Sequence, residues 1–349
     1  MLRTPRFRLA ALELAASLVA VAVACAAGAR RASRAESSGL QLVPAGAGRY
    51  FRFGADGVVE QGDQTVIATQ PLGLDGAGRP VASVIDLGSA RACVVYERGF
   101  ANVNLEEGTW SWLPLAWSTT PDCAAAAAGR AVTLSGNTAH LWSLASGGEP
   151  VSYDFAPWLA GHSMRSLHFV APLAGRENTL VAVAAKYPRV VVKLVSTAKG
   201  GLTDVSGDEL SDFSAIHRCA CDGRNVFVAG VHEFAGLNSS GQMVLQQRLR
   251  LVQVDLASGE RVDLLTDNTE SASMRECVVQ GLVAGGDLVV MLLRLEGRRE
   301  LVRAYRIVSE AGGTPAKVWE HDFPAGSALA VVDAKRFAVL SEGRVLLFP

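Results

Sequence analysis

The stretch Leu249–Leu265 limits the fold more than any other part of this chain. Leu249, Leu251, Val252, Val254 and Leu256 alternate closely enough with polar residues to read as a strand, Asp255 to Gly259 supplies turn residues, and Val262, Leu264 and Leu265 resume an extended run. A helix would place its apolar residues three and four apart, and from about Leu40 onward no such pattern lasts longer than two turns. The body of the chain is therefore expected to be all-β.

Fainter copies of this hairpin recur. Arg91–Tyr96 leads to Ala101–Trp110, Gly129–Leu134 to Thr138–Gly148, Asn178–Val183 to Val190–Gly200, Gly286–Leu292 to Leu301–Val308, and Lys335–Leu340 to Gly343–Phe348; Gly223–Gly230 precedes the best copy. The six units begin about 40 to 60 residues apart, the spacing of four-stranded propeller blades. The chain stops within the sixth. A blade that ends after its third strand leaves an open edge or borrows a strand, and Arg49–Phe53 is the expected donor. Six blades are expected, with seven open because Thr65–Leu74 allows a degenerate extra unit. A pair of β-sandwiches is the alternative, and the repeated Ser-Gly or Gly-Gly turn speaks against it.

Asp255-Leu256-Ala257-Ser258-Gly259 resembles the turn between the third and fourth strands of quinoprotein-like and WD40-like propeller repeats, and Leu144–Gly148 is a partial copy without the Asp. The docking Trp of those repeats is replaced here by Val262 and Leu264. The resemblance implies blade architecture over residues 45–349 and transfers no catalytic residue.

Residues 1–29 have the layout of an export signal or membrane anchor: Arg3, Arg6 and Arg8 precede an apolar run, read as a helix, from Leu9 to Gly28, broken only by Glu13 and Ser17. Three fates stay open. Ala22-Val23-Ala24-Cys25 resembles a bacterial lipoprotein box, with Cys25 as the acylated residue; Ala22 and Ala24 also form a cleavage site; and the run is long enough for an uncleaved span. Residues 30–44 read as a polar tether. The expectation is a propeller tethered at the cell envelope, facing outside the cytoplasm.

Residues 1–34 carry six Arg against one Glu, a balance of +5, which leaves −6 for the remainder of a chain whose net charge is −1. An acidic body without a basic cluster argues against nucleic acid as a partner, since phosphate binding needs clustered cations. A protein or small ligand is expected instead, and no cofactor is indicated.

Export would permit disulfides. Cys93 with Cys123, and Cys219 or Cys221 with Cys277, would link neighbouring blades, while buried free thiols are the equal alternative. Cys219 and Cys221 are read as facing opposite sides of one strand, which disfavours joint chelation. Trp110 and Trp112 share a strand face and offer either an aromatic binding platform or inter-blade packing. The loop His232–Gln247 is the longest insertion within a blade and a candidate recognition surface. No G-x-S-x-G, Walker A, G-x-G-x-x-G, H-E-x-x-H or EF-hand loop occurs. The leading reading is a binding or scaffolding module. The alternative is a propeller enzyme, a metal-assisted hydrolase or lactonase-like protein, with His, Asp, Glu or Asn from several blades converging at the central channel.

Overall fold

The computed structural model describes residues 40–55, 57–62, 65–71, 77–115, 121, 123–145, 149–198, 201–237, 240–265, 278–295, 299–308, 316–333 and 335–348. Small antiparallel sheets follow one another along the chain, each one a blade. Blade 1 is β1 (Gln41–Pro44), β2 (Arg49–Gly54), β3 (Gly57–Gly62) and β4 (Thr65–Gln70). Blade 2 is β5 (Pro80–Asp86), β6 (Arg91–Tyr96), β7 (Gly99–Asn104) and β8 (Thr109–Pro114). Blade 3 is β9 (Cys123–Ala127), β10 (Arg130–Ser135), β11 (Thr138–Ser143) and β12 (Val151–Asp154). Blade 4 is β13 (Ser166–Pro172), β14 (Thr179–Lys186), β15 (Arg189–Ser196) and β16 (Thr203–Leu210). Blade 5 is β17 (Ala215–Cys221), β18 (Asn225–Leu237), β19 (Met243–Asp255) and β20 (Arg261–Asp263). Blade 6 is β21 (Val278–Gly285), β22 (Leu288–Arg294), β23 (Arg299–Arg306) and β24 (Ala316–Pro324). Blade 7 is β25 (Ala328–Val331), β26 (Phe337–Ser341) and β27 (Arg344–Phe348). The first strand of each blade packs beside the first strand of the next, and β25 meets β1, so the ring closes.

The count is seven, the alternative that Thr65–Leu74 keeps open, rather than six. Arg49–Phe53 is no donor to the last blade: it lies in β2, paired on both sides by β1 and β3 within blade 1. Thr65–Gln70 is the outer strand of that same blade, which is the extra unit beyond the six and is a full four-stranded sheet. The first strand begins at Gln41, within the stretch read as tether. The apolar run Leu9–Gly28 lies outside the described residues, among which no helix is long and apolar enough to cross a membrane.

Strand periodicity explains how the ring is glued. Successive side chains point to opposite faces, so a strand inside a blade feeds two seams. Along β14, Leu180, Ala182 and Ala184 enter the blade 3/4 cluster while Val181, Val183 and Ala185 enter the blade 4/5 cluster. Along β22, Val289, Met291 and Leu293 face blade 5 while Leu288, Val290 and Leu292 face blade 7. Strands buried on both faces read as unbroken apolar runs, which is why these two stand out in the sequence. Each seam of the ring has its own apolar cluster, and each fully buried Val or Leu contributes about 1.5–3 kcal/mol. The short helix α1 (Ala156–Gly161) joins blades 3 and 4 and drives Trp158 and Leu159 into their seam.

Candidate functional site

The strands of the β18–β19 hairpin are thirteen residues long, and they pair without a break from Asn225↔Asp255 to Leu237↔Met243. Their neighbours stop early: β17 ends its pairing at Val231, and β20 reaches only Val252–Val254. Residues 232–237 and 243–248 therefore continue beyond the blade as a two-stranded ribbon, about 20 Å long at the rise of a strand. The insertion His232–Gln247 is thus β-structure over 232–237 and 243–247 rather than an irregular loop.

The ribbon is stiffened at its base. Glu233 N donates to Ser214 Oγ at 2.8 Å, and Gln247 Nε2 donates to Glu233 Oε1 at 2.7 Å. On the opposite face His232 stacks on Phe234 with ring centroids 5.7 Å apart, and the Arg248 guanidinium lies 5.8 Å from the same ring. Two polar atoms of this stack, His232 Nδ1 and Arg248 Nε, are buried without a hydrogen-bond partner. Such atoms are costly to leave unpaired, and being buried they meet a partner's carbonyl, carboxylate or hydroxyl only when the stack shifts on binding. Near the tip Met243 is 68% exposed, a soft apolar contact on a rigid arm.

The inner strands hold a second group of buried titratable side chains. β-bulges interrupt them at Val81, His168, His217 and Gln280 in blades 2, 4, 5 and 6. The polar residues there are used to join blades. Tyr187 Oη accepts from Ile216 N at 2.9 Å, and His217 Nδ1 accepts from Val279 N at 3.2 Å; each donor immediately precedes the bulged residue of the next blade. Arg218 Nε donates to Gln280 O at 2.9 Å, and Cys123 Sγ donates to His168 O at 3.7 Å. Burial lowers His168 and His217 to about 4, the latter with help from the Arg218 charge, and raises Tyr187 to about 12. Among the described residues no three His, Cys, Asp or Glu side chains are grouped to hold a metal ion.

Solved structures of known proteins share this architecture. The β-propeller domain of Cps50 (Swd1) from Myceliophteria thermophila superposes with a TM-score of 0.56 at 10% identity, covering 88% of this chain and 94% of that one. The WD40 domain of Pan2 from Neurospora crassa gives 0.52 at 6% identity, covering 88% and 87%. The chain is a seven-bladed β-propeller. No family model matches its sequence, and no curated protein does. At these identities the likeness establishes the fold alone.

Trp110 and Trp112 lie on β8, the outer strand of blade 2, turned into the blade 1/2 seam. Trp110 meets Phe53 edge-on at 6.0 Å and donates its Nε1–H to Gln70 Oε1 at 3.0 Å; Trp112 meets Tyr96 edge-on at 5.2 Å. Trp117 lies outside the described residues.

Among the described residues Cys93, Cys123, Cys219 and Cys221 are free thiols. Cys93 is enclosed in the blade 2/3 seam, whereas Cys123 packs with Cys219 and Cys221 against the blade 4/5 cluster. The opposite-face expectation for Cys219 and Cys221 is corrected by the strand's own period of two: residues two apart share a face, and both side chains meet one cluster. Cys25 and Cys277 lie outside the described residues.

Proposed function

We propose that this propeller is an exported, membrane-tethered binding module that docks a protein partner on the blade 5 ribbon. The carrying observation is the ribbon itself: an ordered arm, stiffened at its base, that extends past its blade and holds unpaired polar atoms beside an aromatic stack. Rigid scaffolds that present an extended element are suited to recognition, and the cross-strand stack lowers the ordering cost of binding. The charge layout of residues 1–29 supports export and tethering, with Cys25 as the acylated residue if the lipid anchor is used.

Two measurements test the reading. Photo-crosslinking from position 243 in the full chain should yield a defined cross-linked protein, and co-purification of that protein should be lost, at unchanged melting temperature, in a variant whose ribbon is cut back to Val231 and Leu249 through a two-residue turn. Its undiminished co-purification with the shortened chain would remove the ribbon as the docking element. Metabolic labelling with palmitate, lost in Cys25→Ser, tests the lipid anchor, while a full-length membrane-extracted chain without label selects the span.

A further inference from the structure

Among the described residues six blades have four strands and blade 7 has three, so β27 presents an open edge. Which of its backbone groups face outward follows from the turn. Ser341 pairs with Arg344 across Glu342-Gly343, and both turn residues have positive φ, 50° and 75°. In such a two-residue hairpin the closing pair exchanges both hydrogen bonds, and bonded and non-bonded pairs then alternate. Arg344, Leu346 and Phe348 thus spend their N–H and C=O on β26, while those of Val345 and Leu347 point to the open side.

The edge lies in a slot. Its neighbours each carry an outer strand that blade 7 lacks, so it is set back from them by one strand, about 4.8 Å. On the blade 6 wall, Trp319 packs against Phe348 with ring centroids 4.4 Å apart and planes tilted by 45°, and His321, exposed, follows on the same face of β24. On the blade 1 wall Val66 is 53% exposed; it pairs with Gln61, whose Nε2 donates to Gly343 O and so marks the face turned to blade 7. Leu347, 46% exposed, lies on the floor. At the head of the slot are two cations: Arg344 is exposed, and Arg52 Nη1 lies 4.0 Å from where a Cβ on Gly343 would stand. Neither makes an ion pair with a described residue.

These features select an occupant. A slot one strand wide admits a single extended segment but not the equally recessed edge of a second propeller. Apolar side chains on both walls ask for apolar residues at successive positions, because an added strand points alternately at each wall. The unpaired cations at the Arg344 end ask for negative charge there. We propose that the open edge of blade 7 binds an extended segment of a partner protein, running antiparallel to β27, apolar along its length and acidic at its C-terminal end. This surface is separate from the blade 5 ribbon.

The test uses the full chain and a synthetic peptide, acetyl-Thr-Val-Ile-Val-Thr-Val-Glu-Glu-amide, with hydrogen exchange read residue by residue. The peptide should slow the Val345 and Leu347 amides by about tenfold or more and leave Arg344 and Leu346, already bonded to β26, unchanged. Replacing both Glu by Lys should weaken binding about tenfold. Leu347→Pro removes an outward N–H without touching the β26 ladder, and should abolish binding while the chain stays folded. Arg344→Glu, which leaves the backbone alone, should reverse the preference toward the Lys peptide. The proposal is overturned by absent binding at millimolar peptide, by equal binding to Leu347→Pro, or by Arg344→Glu leaving the preference unchanged. It is equally overturned if both amides are already protected in the chain alone, whether or not protection depends on its concentration, because the edge is then occupied.

Discussion

Gln253 and Val308 hold each other by both ends of one amide: Gln253 Nε2 donates to Val308 O at 2.6 Å, and Val308 N donates to Gln253 Oε1 at 3.0 Å. A side chain on the third strand of blade 5 thereby reproduces a unit of strand ladder across the seam to blade 6. Its Nε2 also donates to Asn225 Oδ1 at 3.0 Å, so the buried amide is satisfied on both atoms. Asn102, on the third strand of blade 2, donates to Leu144 O of blade 3 at 2.6 Å, a shorter version of the same clasp.

Gln253→Ala removes both seam bonds and leaves the Val308 backbone groups without partners. The expected loss is about 2–4 kcal/mol, read as a lower urea midpoint with unchanged slope, together with faster exchange at the Val308 amide. Gln253→Glu keeps the acceptor for Val308 N but sets a carboxylate against Val308 O, so it should be comparably destabilised at pH 7 and recover as pH falls.

Trp110→Ala and Trp112→Ala should each lower stability by about 3 kcal/mol or more, because both rings fill the blade 1/2 seam. Thermal melts of the two variants decide between packing and a binding platform: unchanged melting temperatures would mean that the rings are free to bind.

Acid should weaken the propeller before carboxylates are involved. His168 and His217 have folded values of about 4, below the ordinary 6.5, so between those limits the unfolded chain binds more protons than the folded one. Their contribution is complete above about pH 6.5, falls as pH drops, and levels off below about 4, on the order of 3 kcal/mol for each. His217→Asn retains an acceptor for Val279 N but cannot titrate. Its stability should therefore fall less steeply between pH 6.5 and 4.5, measured by urea midpoints.

The thiols of Cys93, Cys219 and Cys221 should alkylate slowly with iodoacetamide at pH 7.5 in the native chain and quickly in urea. Burial raises all three, Cys221 to about 12, which leaves little thiolate to react. Mass mapping that finds any of them oxidised to a disulfide would contradict their placement.

Much of the architecture is legible in local patterns. Asp255 illustrates why: its Oδ1 accepts from Ala257 N at 2.8 Å and Ser258 N at 2.9 Å, and Gly259 adopts φ 76°, so an Asp-x-x-Ser-Gly run announces the turn between third and fourth strands. The candidate site was legible only as an insertion of unusual length between His232 and Gln247. That it forms a ribbon depends on Ser214, Arg248 and the ladder from Asn225 to Leu237. The clasp at Gln253 left one trace, a lone amide between Val252 and Val254 in an apolar run, and its partner lies 55 residues away.

What the sequence determined by itself is the all-β class, the repeating blade and its turns, because alternation and turn chemistry act over a few residues. That there are seven blades, that Arg49–Phe53 belongs to the first of them, and that the last has three strands among the described residues came from the tertiary structure. Those outcomes depend on which inner strands meet when the ring closes, and on seam contacts between residues a whole blade apart. No short stretch of sequence encodes that closure, since each strand offers an apolar face to both of its neighbours.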